Sequence, residues 1–295
     1  LQTLVCVNEH NESRTTMNPY LITEPTCISF SGGRTSAYML YKVLQAGGGK
    51  LPKEAIVCFA NTGKEMEETL QFVHDCEVNW NVEIHWLEYI AHAEPSKRFK
   101  RVTYETASRN GEPFAASIDQ NGKPYLPNPV ARICTINLKI RVIDKYLKSL
   151  GWDHNEKMDW VGIRADEQRR AAKIGRERTP LVVDGVTKET VGNFWKSQPF
   201  DLKLPNHNGV TMHGNCDLCF LKPANQIYSL INEKPERAIW WMEMEQFAQS
   251  SNKTYGDGAK FRKDRPSYAQ MYDYVKRQEN LFDPNEDAIA CFCGD

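Results

Sequence analysis

The chain has 295 residues and nearly balanced charge, 37 Lys and Arg against 38 Asp and Glu. A hydrophobic share of 41% supports a folded core. The balance excludes a global basic field and leaves room only for local basic patches. No apolar run is long enough to cross a bilayer, and no basic segment followed by an apolar one opens the chain, so a cytoplasmic protein without a membrane partner is expected.

Residues 1–24 read as an N-terminal extension, with one early strand at Thr3–Val7. The first firm unit is a strand at Cys27–Phe30, the turn Ser31-Gly32-Gly33, and a helix from Thr35 to Gln45 with Ala37, Leu40, Tyr41 and Leu44 on one face. Gly47, Gly48 and Gly49 stop that helix. The two turn glycines permit close backbone approach, and the helix start leaves N–H groups that favour an anion. Ser31, Thr35 and Ser36 add hydroxyl donors.

Ala55–Phe59 predicts a second apolar strand. Asn61-Thr62-Gly63 closes it, Glu65–Cys76 reads as a helix, and Val82–Leu87 as a third strand. Successive strand–helix units imply a parallel sheet covered by helices, which binds ligands beyond the carboxyl ends of its strands. Both turns should lie at that edge. Residues 91–130 carry five prolines and form a long excursion, either a lid or substrate loop or a small structural insertion.

Ile136–Leu150 resumes a helix, and Asp159–Ile163 predicts a fourth strand. Arg164 leaves that strand end, where phosphate or sulfate contact is expected. Thr179–Val183 reads as extended. Thr187 caps a helix over Lys188–Lys196. Further helices are expected at Pro223–Ile231, Pro235–Phe247 and Ser267–Gln278. The Trp240, Trp241, Met242, Met244 and Phe247 stripe reads as packing. The polar stretch 249–265 is expected to move.

Nine cysteines is a high count for this length. An odd number without a leader argues against an extracellular disulfide framework. Cys27 and Cys58 sit in apolar strands and read as buried. Cys216 and Cys219, and Cys291 and Cys293, form two tight pairs, while Cys134 stands at a helix start, where a thiolate is favoured. Four sulfurs suffice for structural zinc or for an iron–sulfur cluster. Reduced, unliganded thiols, a redox pair and a mobile terminal nucleophile are the alternatives. His207 and His213 are further candidate ligands, each more simply a hydrogen-bonding side chain.

Five ordered pieces carry a resemblance. They are Ser31-Gly32-Gly33-Arg34-Thr35-Ser36; Asn61-Thr62-Gly63-Lys64-Glu65; Arg132-Ile133-Cys134-Thr135 continued to Leu138-Lys139; Gly162-Ile163-Arg164-Ala165-Asp166-Glu167; and Gly214-Asn215-Cys216-Asp217-Leu218-Cys219. Together they resemble the phosphoadenosine phosphosulfate reductase superfamily, within the N-type ATP pyrophosphatases. The DNA-phosphorothioation and phage-borne members are the nearest in pattern.

The resemblance implies an α/β three-layer sandwich with a mostly parallel sheet, of the adenine nucleotide alpha hydrolase-like type. It places a nucleotide-binding domain over 25–205, with 91–130 inserted, and a cysteine-bearing helical region over 206–295. It implies that Ser31, Gly32, Gly33, Arg34, Thr35 and Ser36 hold phosphates or sulfate. Phe59, Asn61, Thr62, Gly63 and Glu65 would meet the nucleotide, and Lys139 and Arg164 its anionic end.

Cys134, Cys216 and Cys219 would be ligands of a [4Fe-4S] cluster, with zinc as the alternative. Cys291 or Cys293 would complete the set, Cys293 being favoured. The implied cofactor is ATP, or adenylyl sulfate (APS) or its 3′-phosphorylated form (PAPS), with magnesium.

The expected reaction is ATP-dependent adenylation of an acceptor, nucleic acid being one candidate, followed by sulfur transfer from a donor such as a cysteine desulfurase. The alternatives are a sulfonucleotide reductase, served by thioredoxin and using Cys293, and a nucleotide-binding module without turnover. Two departures bear on the choice. Thr35 stands where many ATP pyrophosphatases carry aspartate, and the terminal Cys293-Gly294 lacks the flanking residues of the reductases.

Overall fold

The computed structural model describes residues 18–120, 122–153, 155, 158–207, 210–211, 213–251 and 258–279. The expected strand at Thr3–Val7, the middle of the polar stretch 249–265, and Cys291 and Cys293 lie outside them.

Strand β1 (Thr26–Phe30) leads to α1 (Arg34–Ala46), β2 (Ala55–Asn61), α2 (Glu67–Trp80) and β3 (Ile84–Glu88). The next elements are β4 (Lys100–Val102), α3 (Glu112–Ile118) and the two-residue strands β5 (Asp119–Gln120) and β6 (Lys123–Pro124). A continuous helical stretch follows in three parts: α4 (Ile133–Thr135), a π-helical segment (Ile136–Ile140) and α5 (Arg141–Ser149). Then come β7 (Asp159–Val161), α6 (Gln168–Ile174), α7 (Pro180–Val183) and α8 (Lys188–Lys196). A short ladder of β8 (Asn206–His207) and β9 (Val210–Thr211) precedes α9 (Ala224–Glu233), α10 (Arg237–Ser251) and α11 (Tyr268–Glu279).

The main sheet has the order β4-β3-β2-β1-β7. All pairings are parallel except β3 with β4. Side chains alternate between its faces, as a pleated strand requires. Ile28, Phe30, Val57, Phe59, Ile84 and Trp86 join a core with residues of α1, α2 and α8. Cys27, Cys58, Ala60 and Leu87 point the other way, onto Val142, Ile143, Tyr146 and Leu147 of α5. Burial on both faces explains why β1 and β2 are apolar almost throughout. Both expected buried cysteines, Cys27 and Cys58, are fully buried. The architecture is α/β, and its layering is compatible with a three-layer sandwich.

A separate core gathers Phe114, Leu126, Leu218, Phe220, Trp241 and Phe261 between α3 and α9–α11. The tryptophan-rich stripe is indeed packing: Trp241 is fully buried and stacks on Tyr268.

Three elements differ from the sequence reading. Residues 180–183 form a helical turn, not an extended segment, because Pro180 takes the first helical position, where its fixed φ fits and its missing N–H costs nothing. The excursion 91–130 is built into the fold. It supplies edge strand β4, whose Lys100 and Arg101 suit an exposed sheet edge, and it buries Phe114, Ile118 and Leu126. The helix after Cys134 is interrupted by a π-helical turn. Thr187 caps α8 as expected, in a reciprocal box with Thr190.

The strand order reverses at β1. From there β2 and β3 lie on one side and β7 on the other. In open α/β sheets the crevice at such a reversal, beyond the strand carboxyl ends, is where ligands bind.

Candidate functional site

That crevice contains a cavity of about 360 Å³, walled by the whole turn 31–36 and by Glu65, Lys139, Gly162 and Arg164. With Gly214 and Asn215 also on the wall, all five sequence motifs meet at one place. Two glycines permit the approach. Gly32 has φ +73, and a Cβ there would lie 2.7 Å from Thr69 Cγ2. A Cβ on Gly162 would lie 2.8 Å from Ser36 Cα, so β7 can reach α1 only with glycine there.

The start of α1 is bare. Gly33 is its N-cap, no side chain caps it, and its first turn carries no acidic residue. Its leading N–H groups and the positive end of the helix dipole are left for an anion. Ser36 is occupied internally. Its hydroxyl donates to Gly33 O at 2.9 Å, accepts from Ser31 N at 3.2 Å and lies 3.0 Å from Ser31 Oγ. It shapes the loop and keeps the turn rigid.

Arg34 is a strut. It donates from Nε and Nη2 to the two Asp201 oxygens at 2.7 and 2.8 Å, and also to Leu202 O. This bidentate pair fastens the 201–202 segment over the cavity. Arg164 is partly engaged as well, with Asp166 Oδ1 at 2.9 Å and Thr35 Oγ1 at 3.2 Å. Lys139 reaches Glu65 Oε1 at 3.5 Å. Burial pulls its ammonium pKa down, but Glu65 and the Cys216 and Cys134 sulfurs outweigh that and raise it, so Lys139 is a firm cation. The cavity wall carries five cationic side chains, those already named plus Arg170 and Lys188, against the carboxylates Glu65 and Glu167. That excess selects anions.

The second turn does not line this cavity, apart from Glu65. Phe59 is only 1% exposed and packs edge-on to Trp86 in the core beneath Gly32. Asn61 is fully buried and donates to Glu88 Oε1 at 2.7 Å and Ser108 O at 2.8 Å, while its own oxygen accepts from Gly63 N. Thr62 donates from N and Oγ1 to Glu65. Gly63 is walled by Pro113 and Gly111. These four residues were expected to meet a nucleotide. None of the four lines this cavity, and of them Thr62 alone bonds Glu65, which does.

Cys134, Cys216 and Cys219 gather behind Glu65 and Lys139. Cys216 Sγ lies 3.4 Å from Thr62 Oγ1. Burial raises all three thiol pKa values; Glu65 and then Cys219 push Cys216 further up and Cys219 does so for Cys134, while for Cys219 itself the neighbouring cations only oppose burial. The favoured thiolate expected for Cys134 at a helix start is thus reversed by burial. Among the described residues no three His, Cys, Asp or Glu side chains converge tightly enough for a single ion. Soft thiol donors of this kind suit zinc and an iron–sulfur cluster alike.

The loop carrying Cys216 and Cys219 is held through its carbonyls. Tyr268 donates to Leu218 O at 2.6 Å, Arg265 to Lys222 O at 2.8 Å and to Phe220 O, and Lys222 to Gly214 O. Asp217 pairs with buried Lys64 at 2.9 Å and accepts from Trp241. His213 bonds Glu233 at 2.7 Å, in keeping with its hydrogen-bonding reading.

Sequence reading gave no site role to Lys188, Arg170 or Asp201, whereas Thr69, in the continuation Glu68-Thr69-Leu70 of the Asn61–Glu65 motif, lines the cavity. Lys188 had one usable signal: it is the first helical residue after the capping threonine. Arg170 reaches the cavity only through the fold, and Asp201 touches it through Arg34.

No family model matches the chain. An uncharacterized protein of Methanocaldococcus jannaschii is 31% identical across 28% of this chain, a match spanning only 21% of that protein's length. An uncharacterized nin region protein, ORF290, of Escherichia phage lambda is 30% identical over 205 residues, 68% of this chain and 67% of its own length. On that extent of shared sequence, the chain belongs to the family of the phage lambda nin region protein ORF290.

Proposed function

We propose that the protein binds an adenine nucleotide in the sheet-edge cavity and adenylates an acceptor before sulfur transfer, on an adenine nucleotide alpha hydrolase-like fold. The observation that carries this reading is the bare N-terminus of α1 facing the same cavity as Lys139, Arg164 and Lys188. An acceptor oxygen attacks the α-phosphorus of ATP, the bond to the β-phosphate oxygen breaks, and pyrophosphate leaves. Loop N–H groups and Lys139, aimed by Glu65, offset the charge that grows on the phosphates. A sulfur nucleophile from a donor protein then displaces AMP from the acceptor. Glu65 and Glu167 are the wall carboxylates, and magnesium carried by the nucleotide would have to draw them from their present partners. Cys134, Cys216 and Cys219 would hold three corners of a [4Fe-4S] cluster, which would supply electron or sulfide chemistry when bound. The expected fourth ligands, Cys291 and Cys293, lie outside the described residues.

A second reading is reduction of APS or PAPS to sulfite, with thioredoxin as reductant. It is favoured by the engagement of both wall carboxylates: Glu65 with Thr62 and Lys139, Glu167 with Arg170 and the Arg164 N–H. A metal-free anion suits such a wall. Labelled ATP incubated with nucleic-acid and small-molecule acceptors separates the readings. Pyrophosphate release lost in Lys139→Ala supports adenylation. Sulfite from a sulfonucleotide, without pyrophosphate, supports reduction. Binding of ATP with neither product leaves a nucleotide-binding module and defeats both.

A further inference from the structure

The π-helical turn after Cys134 stands between two cavities. Lys139 lines the first. Asn137 and Arg141, on either side of it in sequence, line a second cavity of about 650 Å³. Single π-turns recur where a helix must present side chains off the regular period.

The second cavity is cationic. Arg98, Arg141 and Lys145 line it together with His92, against one carboxylate, Asp119. Asp119 already accepts from Gly122 N at 2.8 Å. Among the described residues, none of Arg98, Arg141 and Lys145 forms an ion pair. Asp144, the acidic neighbour on α5, pairs with Lys148 at 2.9 Å instead.

The two guanidinium groups are also held in place. Arg98 donates to His92 O at 2.8 Å. Arg141 donates to Asn137 Oδ1 at 2.9 Å, and Asn137 in turn donates to buried Ser117 at 3.4 Å. Burial, then Arg98 and Arg141, lower the Lys145 pKa, while Asp144 opposes them weakly. Three like charges around one hollow, the two guanidinium groups held in place, repel each other unless an anion enters.

We propose that this second cavity is a phosphate-binding subsite, taking either the phosphate of a small molecule or the phosphodiester of a nucleic-acid strand. Guanidinium pairs with a flanking ammonium suit phosphate oxygens, since the planar fork donates two parallel bonds and the ammonium adds a point charge. The subsite is independent of the nucleotide reading, because none of its residues lines the first cavity.

The test uses the full chain with two probes, inorganic tripolyphosphate and a short labelled single-stranded oligonucleotide. Arg141→Gln combined with Lys145→Gln is expected to weaken at least one probe by about tenfold or more. Lys148→Gln, on the same helix but outside the cavity, leaves binding unchanged. If the strand is the ligand, the salt dependence of its affinity falls by about 0.7 for each phosphate charge the variant no longer neutralises. If tripolyphosphate alone responds, the ligand is a small phosphate compound. Thermal unfolding of the double variant is expected to match the parent, and the single Lys145→Gln serves if it does not. The proposal is overturned if neither probe binds, if Lys148→Gln weakens binding as much, or if only Lys188→Ala, in the first cavity, weakens it.

Discussion

Two turns stand at the same edge of one sheet, and in sequence they look alike. Each follows an apolar strand, carries glycine and opens a helix. In the structure the turn after β1 leaves its helix N-terminus bare beside a cationic cavity. The turn after β2 closes on itself: Asn61 and Thr62 spend their polar atoms on Gly63, Glu65, Glu88 and Ser108. The difference lies in what the turn residues can bond. Neither helix start has a side-chain cap, but α2 carries Glu67 and Glu68 in its first turn and α1 carries no acid there. Asn61 and Thr62 accept from the turn's own Gly63 and Lys64 N–H groups, whereas the two adjacent glycines have no side chain that could accept. A turn that leaves its N–H groups unmet is built for a ligand, and one that meets them is built for the fold.

The contrast can be broken by substitution, and the largest effect is expected at Gly32. Its left-handed φ and the 2.7 Å approach to Thr69 add backbone strain to a core clash. Gly32→Ala should cost roughly 3–4 kcal/mol in urea unfolding. At the closed turn, Asn61→Ala should cost about 2–3 kcal/mol, because Glu88, fully buried, loses one of its donors and Gly63 N loses its acceptor. It should leave the ATP affinity of the remaining folded protein unchanged. A large affinity loss at unchanged stability would show that the second turn touches the nucleotide.

Behind the closed turn, the cysteine loop depends on Tyr268, whose N–H, like that of Phe261, is accepted by Glu245. Burial raises Glu245 to about 7 although both N–H donors pull it down. The folded chain therefore keeps a proton that the unfolded chain, with the usual 4.5, has released. This contribution is complete below the unfolded pKa and is lost as pH rises through about 7. Thermal unfolding should reveal a loss on the order of 3 kcal/mol across that window, absent in Glu245→Gln. The smallest effect is expected at the open turn's rim. Lys188→Ala should change stability by less than about 0.5 kcal/mol and weaken ATP binding about tenfold, as read by titration.

The open turn was legible because its signal is local: strand, two glycines, helix, within a dozen residues. The parallel sheet followed from the same local logic applied twice. The closing of the second turn was not legible because its partners are remote. Ser108 is 47 positions from Asn61, and nothing in the short motif announces it. Arg170 and Lys188 are likewise brought to the cavity by the fold, and Asp201 acts on it only through Arg34. Residues 180–183 misled because Val182 and Val183 favour strands, while Pro180 one turn earlier sets a helical start. The π-turn at Ile136–Ile140 has no compositional mark, so the division of Lys139 from Arg141 between two cavities was visible only in three dimensions.

The most direct test is ATP titration of Gly33→Asp by calorimetry. At Gly33, φ is −106 and the nearest atom to an added Cβ is Ser31 Oγ at 3.7 Å, so the side chain is tolerated. Aspartate at an N-cap satisfies the helix start and places a negative charge where the phosphates should lie. The account predicts unchanged or slightly higher thermal stability together with complete loss of ATP binding. Undiminished ATP binding by a folded Gly33→Asp protein would contradict it.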